Sequence, residues 1–450
     1  MEATMRFIII GGDAAGMSAA SRAKRNNPDM EIIVLEQTND VSYSACGMPY
    51  NIADPVRDMN DLVVREADVF RNKQGIDLRT GHRVFRIDPL KKLVMCTDSR
   101  GEESSLEYDK LLIATGASPI VPDIPGIDLA GVLSLKSLEQ GRKIKEFIRE
   151  HKVKSTVVIG MGYIALEMCE ALRANHIDVA MVKPRAAFIP WMNDELSGMV
   201  REEIEKNDIK LYAGHELREI RQSDNLLIVK CSDLDLACDM VICAIGVTPN
   251  SVLAEDAEIE LGIKKSIAVE RGLLTSNEHI YAAGDCADAY HVVTGQKTYI
   301  PLALRANRAG WAVADNVTGG NAELDGVAGT AVFKVFDMQV ARTGLDMSES
   351  KNAGFDPVDA VITSRSRAHS YPGSAEIKVN IIGDKKSGRL LGVQMVGKDG
   401  VAHRINAPAV ALHNKMTVEE FSQCDLAYAP PFGPVWDPVL TAAVQLMKKI

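Results

Sequence analysis

Two glycine-containing turns and one cysteine carry most of the chemistry this sequence offers. Gly11-Gly12-Asp13-Ala14-Ala15-Gly16 follows a short apolar run, and Gly160-Met161-Gly162-Tyr163-Ile164-Ala165 follows another. A helix that opens on such a turn presents unpaired backbone N–H groups and its positive dipole end, which suits a pyrophosphate, and glycine lets the anion approach closely. The first turn has Asp13 where the pattern has its middle glycine. Glu36, 20 residues past Gly16, ends the next strand and offers a carboxylate to ribose hydroxyls. The second turn has both leading glycines and the permitted alanine, but its following strand ends Met181-Val182-Lys183-Pro184-Arg185 without a carboxylate. Lys183 and Arg185 can meet a 2′-phosphate, so NADPH is expected to be accepted there, the plainer alternative being solvated cations at a strand end. Cys46 lies in Ser42-Tyr43-Ser44-Ala45-Cys46-Gly47-Met48-Pro49-Tyr50-Asn51. Its thiolate would be a nucleophile.

The elements that must position these groups read as two βαβ units. Strands over 6–10 and 31–35 flank a helix over 14–25, and strands over 156–159 and 178–182 flank a helix over 163–174. The turns lie 149 residues apart, a domain-length separation, so two dinucleotide-binding domains are expected rather than a solenoid. Thr115-Gly116 and the prolines at 119, 122 and 125 mark the chain leaving the first domain; Ile245-Gly246 with Pro249 closes the second, and the chain then returns to the first. The charged segment 139–154 predicts a helix whose charges form a solvated face without a function of its own. From about residue 326, β-type runs over 330–336, 376–382 and 390–396 and a helix near 407–414 predict a third, α+β domain. The expected class is α/β, two Rossmann-like domains followed by an α+β domain, with boundaries at 1–115 plus 246–322, 116–245 and 323–450.

Composition narrows the possibilities. A chain of 450 residues, 46% hydrophobic, predicts about three domains at roughly 150 residues each. Its formal net charge of -10 disfavours nucleic acid and anionic membrane as partners. No apolar stretch approaches the roughly 20 residues of a membrane helix, and the opening lacks a signal-peptide pattern, so a cytoplasmic protein is expected. Eight cysteines are too sparse for a disulfide framework; Cys238 and Cys243 fall in a buried strand pattern and read as structural. The nine histidines form no H-E-x-x-H motif or Cys/His cluster, so no metal is expected.

Tyr281-Ala282-Ala283-Gly284-Asp285, with Thr275 six residues before it, completes a pattern with Gly11, Glu36 and Thr115-Gly116. In that order the motifs resemble those of the two-dinucleotide flavoprotein disulfide reductases. The resemblance implies FAD held by Gly11, Ala14, Ala15, Gly16, Glu36, Thr115, Gly116 and Asp285, with Asp285 on the ribityl chain. It implies NAD(P)H held by Gly160, Gly162, Tyr163, Ala165, Glu167, Lys183 and Gly246. Glutathione-reductase-like members have a second cysteine five residues after the first; here that residue is Asn51. Cys46 therefore acts alone, through a sulfenic acid or a mixed disulfide with a small thiol, and a helix N-terminus beside an oxidised flavin is expected to lower its pKa.

Ser42-x-x-x-Cys46-Gly47-x-Pro49-Tyr50 resembles the coenzyme A disulfide reductase branch, with its NADH oxidase, peroxidase and persulfide reductase relatives. Oxidases and peroxidases of that family place a histidine in the first glycine turn where Ala14 stands here, which favours the coenzyme A side. His369-Ser370-Tyr371-Pro372-Gly373 and Asp425 to Phe432, containing Tyr428, resemble the motifs that send tyrosines to the other subunit's cysteine. The resemblance thus implies a homodimer whose third domain is the dimerisation domain, and Cys46, Tyr371 and Tyr428 as the catalytic set. Coenzyme A needs cations, for which the resemblance offers Ser18, Arg22, Ser42, Lys73 and Asn307 as substrate-binding residues. Trp436 stands where some relatives carry a basic residue. The expected substrate is coenzyme A disulfide. Coenzyme A persulfide or polysulfide is the alternative, with a separate sulfurtransferase as partner because the chain ends at Ile450 without a rhodanese domain, and an oxidase acting through a sulfenic acid is a further one.

Overall fold

The computed structural model describes residues 5–450. Strand Arg6–Ile10 is a continuous apolar run in which Phe7, Ile8 and Ile9 have no exposed surface, the pattern of a strand covered on both faces. It pairs in parallel with Glu31–Leu35 on one side and Lys110–Ile113 on the other; Asp77–Arg79 and Ile280–Ala282 complete a five-stranded parallel sheet. A second parallel sheet repeats the plan, in the order Lys210–Ala213, Asp178–Lys183, Ser155–Ile159, Met240–Cys243, Val132–Ser134. Helix α1 (Ala14–Asn26) follows the first strand of one sheet, as Tyr163–Ala174 follows Ser155–Ile159 in the other.

The two turns are the same device. Gly11 has φ +112°, and a Cβ there would sit 2.2 Å from the carbonyl oxygen of Ala114, at the end of the neighbouring strand. Gly160 has φ +116°, and a Cβ would sit 2.3 Å from the carbonyl oxygen of Ala244. Only glycine satisfies both the backbone angle and the close approach. Each sheet is also accompanied by a three-stranded antiparallel meander, Arg83–Asp88, Leu93–Thr97 and Glu103–Glu107 in one case, Leu217–Ser223, Leu226–Cys231 and Asp235–Cys238 in the other. The duplication thus extends beyond the turns from which it was read.

The third unit is a five-stranded antiparallel sheet, Ala331–Val335, Met338–Gly344, Leu390–Gly397, Glu376–Asp384 and Pro357–Arg365, backed by short helices. The α/β class with an α+β third unit is as the sequence predicts. One core cluster crosses all of these parts. Met48, Ile52, Met59 and Leu62, from the segment around Cys46, are buried with Leu166 and Met168 of the second unit and with Phe333, Val335, Val340 and Val396 of the third. Burial of each such side chain stabilises by roughly 1.5–3 kcal/mol, so the cysteine segment is held by side chains of the second and third units.

Candidate active site

Cys46 lies in a single 3-10 turn, Ala45–Gly47, that runs into the short helix α2 (Met48–Ile52). The lead-in is strained: Ser42 has φ +48°, its N–H donates to the Gly12 carbonyl and its carbonyl accepts from Val64. Cys46 is exposed, whereas Cys96, Cys169, Cys231, Cys238, Cys243 and Cys286 are buried and Cys424 is half-buried; none is in a disulfide. The expected low pKa is not found in the protein alone. Although the residue reaches solvent, the sulfur is set among protein atoms whose desolvation raises the thiol, and Glu167 raises it further while Lys136 opposes. Glu167 accepts a hydrogen bond from the Tyr50 hydroxyl at 2.7 Å, and burial raises its own carboxyl. A residue proposed for NAD(P)H therefore faces the cysteine segment. Asn51 is fully buried, donating to the Asp58 carbonyl at 2.8 Å and accepting from Lys145 at 3.1 Å.

The two glycine turns leave their helices open. Helix α1 and the helix after Gly160 have no side-chain cap and no acidic residue in the first turn. By contrast, Ser137 caps α3 (Leu138–His151), and Asn193, Asp346, Thr417 and Asp437 cap four other helices with their own side chains. Unfilled N-termini beside residues where a Cβ cannot fit form the donor set that a dinucleotide pyrophosphate requires. Ala14 and Ala15 form the first turn of α1, and Glu36 sits at its mouth, accepting from the Gly12 N–H at 2.8 Å and from Thr38. Asp13 accepts from the Tyr43 N–H, and its carboxyl is pushed up to about 6 by burial, with Glu36 and Asp285 adding and Tyr43 and Lys136 opposing.

Asp285 pairs with Lys136 at 3.0 Å, a contact spanning 149 residues. Thr115 and Asn250 exchange hydrogen bonds of 2.6 and 2.8 Å, and Gly116 follows with φ +69°. Cys286 is buried against the carbonyls of Ile113 and Ala283. In the second unit, Ala165 is buried behind Gly162, and Gly246, φ +120°, follows the last strand. The Lys183 ammonium donates to the Phe188 carbonyl at 3.0 Å, across the loop that follows the strand. Arg185 is the exposed cation at that strand end.

The substrate candidates fall into two groups. Ser18 donates to Asn307 at 2.7 Å between α1 and the helix Ala303–Val317, and Arg22, one turn further on, makes a two-pronged pair with Asp315 at 2.6 and 2.8 Å. Arg22 is thus already matched by a carboxylate rather than free for a phosphate. Lys73 is exposed at the end of the turn Val69–Lys73, and it and Ser42 share no hydrogen bond with the first group among the described residues. Tyr371 and Tyr428 are both exposed, and their loops are tied together: the Ala368 N–H donates to the Pro430 carbonyl, and Arg404 donates to the carbonyls of Ser366 and Phe432.

Sequence reasoning missed Lys136, Tyr50 and two cations of α3, Arg142 and Lys145. Arg142 makes a two-pronged pair with Asp40 at 2.8 and 2.7 Å and also reaches Asn60. The expectation of a wholly solvated charged face on α3 is therefore incorrect. Glu139, Lys143, Glu146, Arg149 and Glu150 are exposed as expected, but Arg142 and Lys145 turn inward to carbonyls and carboxylates that lie 82 or more residues earlier in the chain, and no local pattern encodes such partners.

A family model described as pyridine nucleotide-disulphide oxidoreductase matches residues 5–310, and one for the corresponding dimerisation domain matches residues 330–438. The chain is 36% identical over 439 residues to the NAD(P)H coenzyme A polysulfide/persulfide reductase of Pyrococcus horikoshii, with 97% of each chain covered. It is 34% identical over 447 residues to the NADH oxidase of Methanocaldococcus jannaschii, with 99% of each covered. With the coenzyme A disulfide reductase of Staphylococcus haemolyticus it shares 28% identity over 430 residues, 95% of this chain and 96% of the relative. Among solved structures, a NAD-dependent persulfide reductase from A. fulgidus superposes with a TM-score of 0.95 at 37% identity, over 99% of this chain and 83% of the other.

Proposed function

We propose that this chain, which belongs to the pyridine nucleotide-disulphide oxidoreductase family, reduces coenzyme A disulfide with electrons from NAD(P)H by way of FAD and Cys46. The observation that carries this reading is the contrast among the cysteines. Cys46 is the exposed one, and Asn51, where a resolving cysteine would stand, is engaged by Lys145 and Asp58.

FAD held by the first glycine turn would supply sulfur with the electron pair that NAD(P)H brings. The Cys46 thiolate attacks one sulfur of coenzyme A disulfide, the S–S bond breaks, and one coenzyme A thiolate leaves. The mixed disulfide on Cys46 then takes up two electrons and separates into the Cys46 thiolate and a second coenzyme A thiolate. Glu167 and Lys136 set the charge around that sulfur. Tyr371 and Tyr428 carry hydroxyls suited to holding a thiolate or supplying its proton, and they serve the Cys46 of a second subunit in a homodimer. Gly11, Ala14, Ala15, Gly16, Glu36, Thr115, Gly116 and Asp285 hold FAD; Gly160, Gly162, Tyr163, Ala165, Glu167, Lys183 and Gly246 hold NAD(P)H, with Lys183 and Arg185 at the strand end suited to a 2′-phosphate. Residues 1–115 with 246–322, 116–245 and 323–450 form the FAD, NAD(P)H and dimerisation domains. Unpaired cysteines throughout the described residues suit the cytoplasm.

The higher identity to persulfide reductases than to the coenzyme A disulfide reductase favours coenzyme A persulfide as a second reading, since one thiolate attacks either sulfur bond by the same exchange. Anaerobic titration of the purified protein with NADPH and then NADH, with mass spectrometry of whatever leaves Cys46, tests the proposal. Release of coenzyme A with loss of its mass from the Cys46 peptide is expected. Cys46 recovered as a sulfenic acid with no bound thiol would place the chain with the oxidases. Preferential turnover of coenzyme A persulfide over the disulfide would favour the second reading.

A further inference from the structure

Helix α3 approaches the Cys46 segment more closely than its sequence implies. A Cβ on Gly141 would lie 2.9 Å from Met59 Cε and 3.6 Å from Met48 Sδ, so the bare glycine lets the helix seat against the first residue of α2 and a residue that follows it. Next to it, Arg142 grips Asp40 and Asn60, before and after Cys46 in the chain. One turn later, the Lys145 ammonium meets four oxygens: the Asn51 carbonyl at 3.2 Å, Asn51 Oδ1 at 3.1 Å, the Asp54 carbonyl at 2.8 Å and the Arg57 carbonyl. An ammonium has three protons to donate, and here four acceptors converge on it, three of them backbone carbonyls from the end of α2 and the turns after it. Such an arrangement is a cation cage, in which one positive charge is shared by carbonyls at and beyond the C-terminal end of α2, that of Asn51 also accepting from the Asp54 N–H. Burial lowers the ammonium below the ordinary lysine range, with Arg57 adding to it and Asp54, Asp58 and Asp61 opposing.

We propose that Lys145 is a positioning residue of the redox centre, a tethered cation whose occupation of the four-oxygen cage fixes α2 and with it the turn that carries Cys46. The inference rests on the reading of Cys46 as the redox thiol, but it concerns how that thiol is seated. With the cage empty, the carbonyls of residues 51, 54 and 57 lose their common partner, the turn loosens, and Cys46 moves away from the protein atoms that desolvate it.

The test is the rate at which iodoacetamide alkylates Cys46 in the full-length protein, first reduced with dithiothreitol and desalted anaerobically so that any thiol bound to Cys46 is removed, at neutral pH, followed on the Cys46 peptide by mass spectrometry. Lys145→Ala is expected to raise that rate about fivefold or more, because a thiol released from a desolvating site forms thiolate more readily. Methylammonium chloride should restore the parental rate by refilling the cage, choline chloride at equal ionic strength should not, and Lys145→Met, whose side chain fills the space without charge, should be fast and unrescued. An unchanged rate in Lys145→Ala overturns the proposal, as does an accelerated rate that methylammonium fails to lower. Should Lys145→Ala not accumulate, Asn51→Val keeps the lysine but removes both its side-chain acceptor and the donor to the Asp58 carbonyl; an acceleration is expected there, and its absence overturns the proposal. Alkylation needs neither substrate nor nucleotide. Failure of the proposed activity would therefore appear in turnover and leave this measurement intact.

Discussion

At Cys46 two side chains act in opposite directions, Glu167 raising the thiol and Lys136 lowering it. Removing the carboxylate charge while keeping its hydrogen bond to Tyr50 should favour the thiolate. Glu167→Gln is thus expected to lower the Cys46 pKa and so to increase the alkylation rate near pH 7 roughly two- to threefold, read as the pH dependence of alkylation. Asp13 gives a second test. Its carboxyl titrates from the ordinary 3.8 up to about 6 in the folded chain, so between those values the folded chain holds a proton that the unfolded chain has lost. Stability from this group is present below the unfolded value and declines as pH rises through the folded one. Asp13→Asn removes that decline, and urea melts should find the variant more stable by roughly 1–3 kcal/mol at pH 8 with the difference vanishing near pH 4. Cys46 and the glycine turns were legible in the sequence because their signal is local residue type and spacing. Lys136 was not, because its partner Asp285 lies 149 residues away and a lysine before a helix carries no mark of where its ammonium will reach.

Among the elements, the strands and the helices after the glycine turns were read to within a residue or two, since both sheets bury their strands on two faces and so leave continuous apolar runs. Helix α3 was located with its C-terminal end three residues too far on, and its role was not read. Hydrophobic periodicity tells which face avoids water, whereas it says nothing about which charges on the remaining face find partners. The fit of α3 to the Cys46 segment depends on the missing side chain at Gly141. Gly141→Leu would drive a branched side chain into Met59 and Met48, and overpacking of this kind costs roughly 1–3 kcal/mol. Thermal melts should show the loss, and peptide hydrogen exchange should place it in residues 46–62 rather than in the first parallel sheet.

For the whole molecule, the existence of a third, α+β unit was legible, but its docking was not. The turn between Ala331–Val335 and Met338–Gly344 rests on the second unit, with Phe333 packed 4.8 Å from Tyr163, the Phe336 N–H donating to Glu170 and the Asp337 N–H to Glu203. These contacts join residues more than 130 positions apart. On the same unit, Phe432, Val435 and Trp436 are 79%, 67% and 64% exposed, beside the paired tyrosine loops. Three neighbouring large apolar residues left in water mark a surface that another protein covers, and in the proposed homodimer that is a second copy. Trp436→Glu should weaken self-association by about tenfold or more in sedimentation velocity, and, if Tyr371 and Tyr428 have the proposed role at the opposite subunit's cysteine, disulfide reduction should fall with the dimer fraction.

The core cluster that seats Met48, Ile52, Met59 and Leu62 also contains Phe333, Val335, Val340 and Val396. It is therefore incomplete until most of the chain exists. Cys46 leaves the ribosome early, and at about 5–20 residues per second the hairpin that closes this cluster follows roughly 15–60 s later. For that interval the thiol belongs to a nascent chain whose seat has not been assembled. Its exposure to cellular oxidants is then governed by the pace of translation rather than by the finished fold.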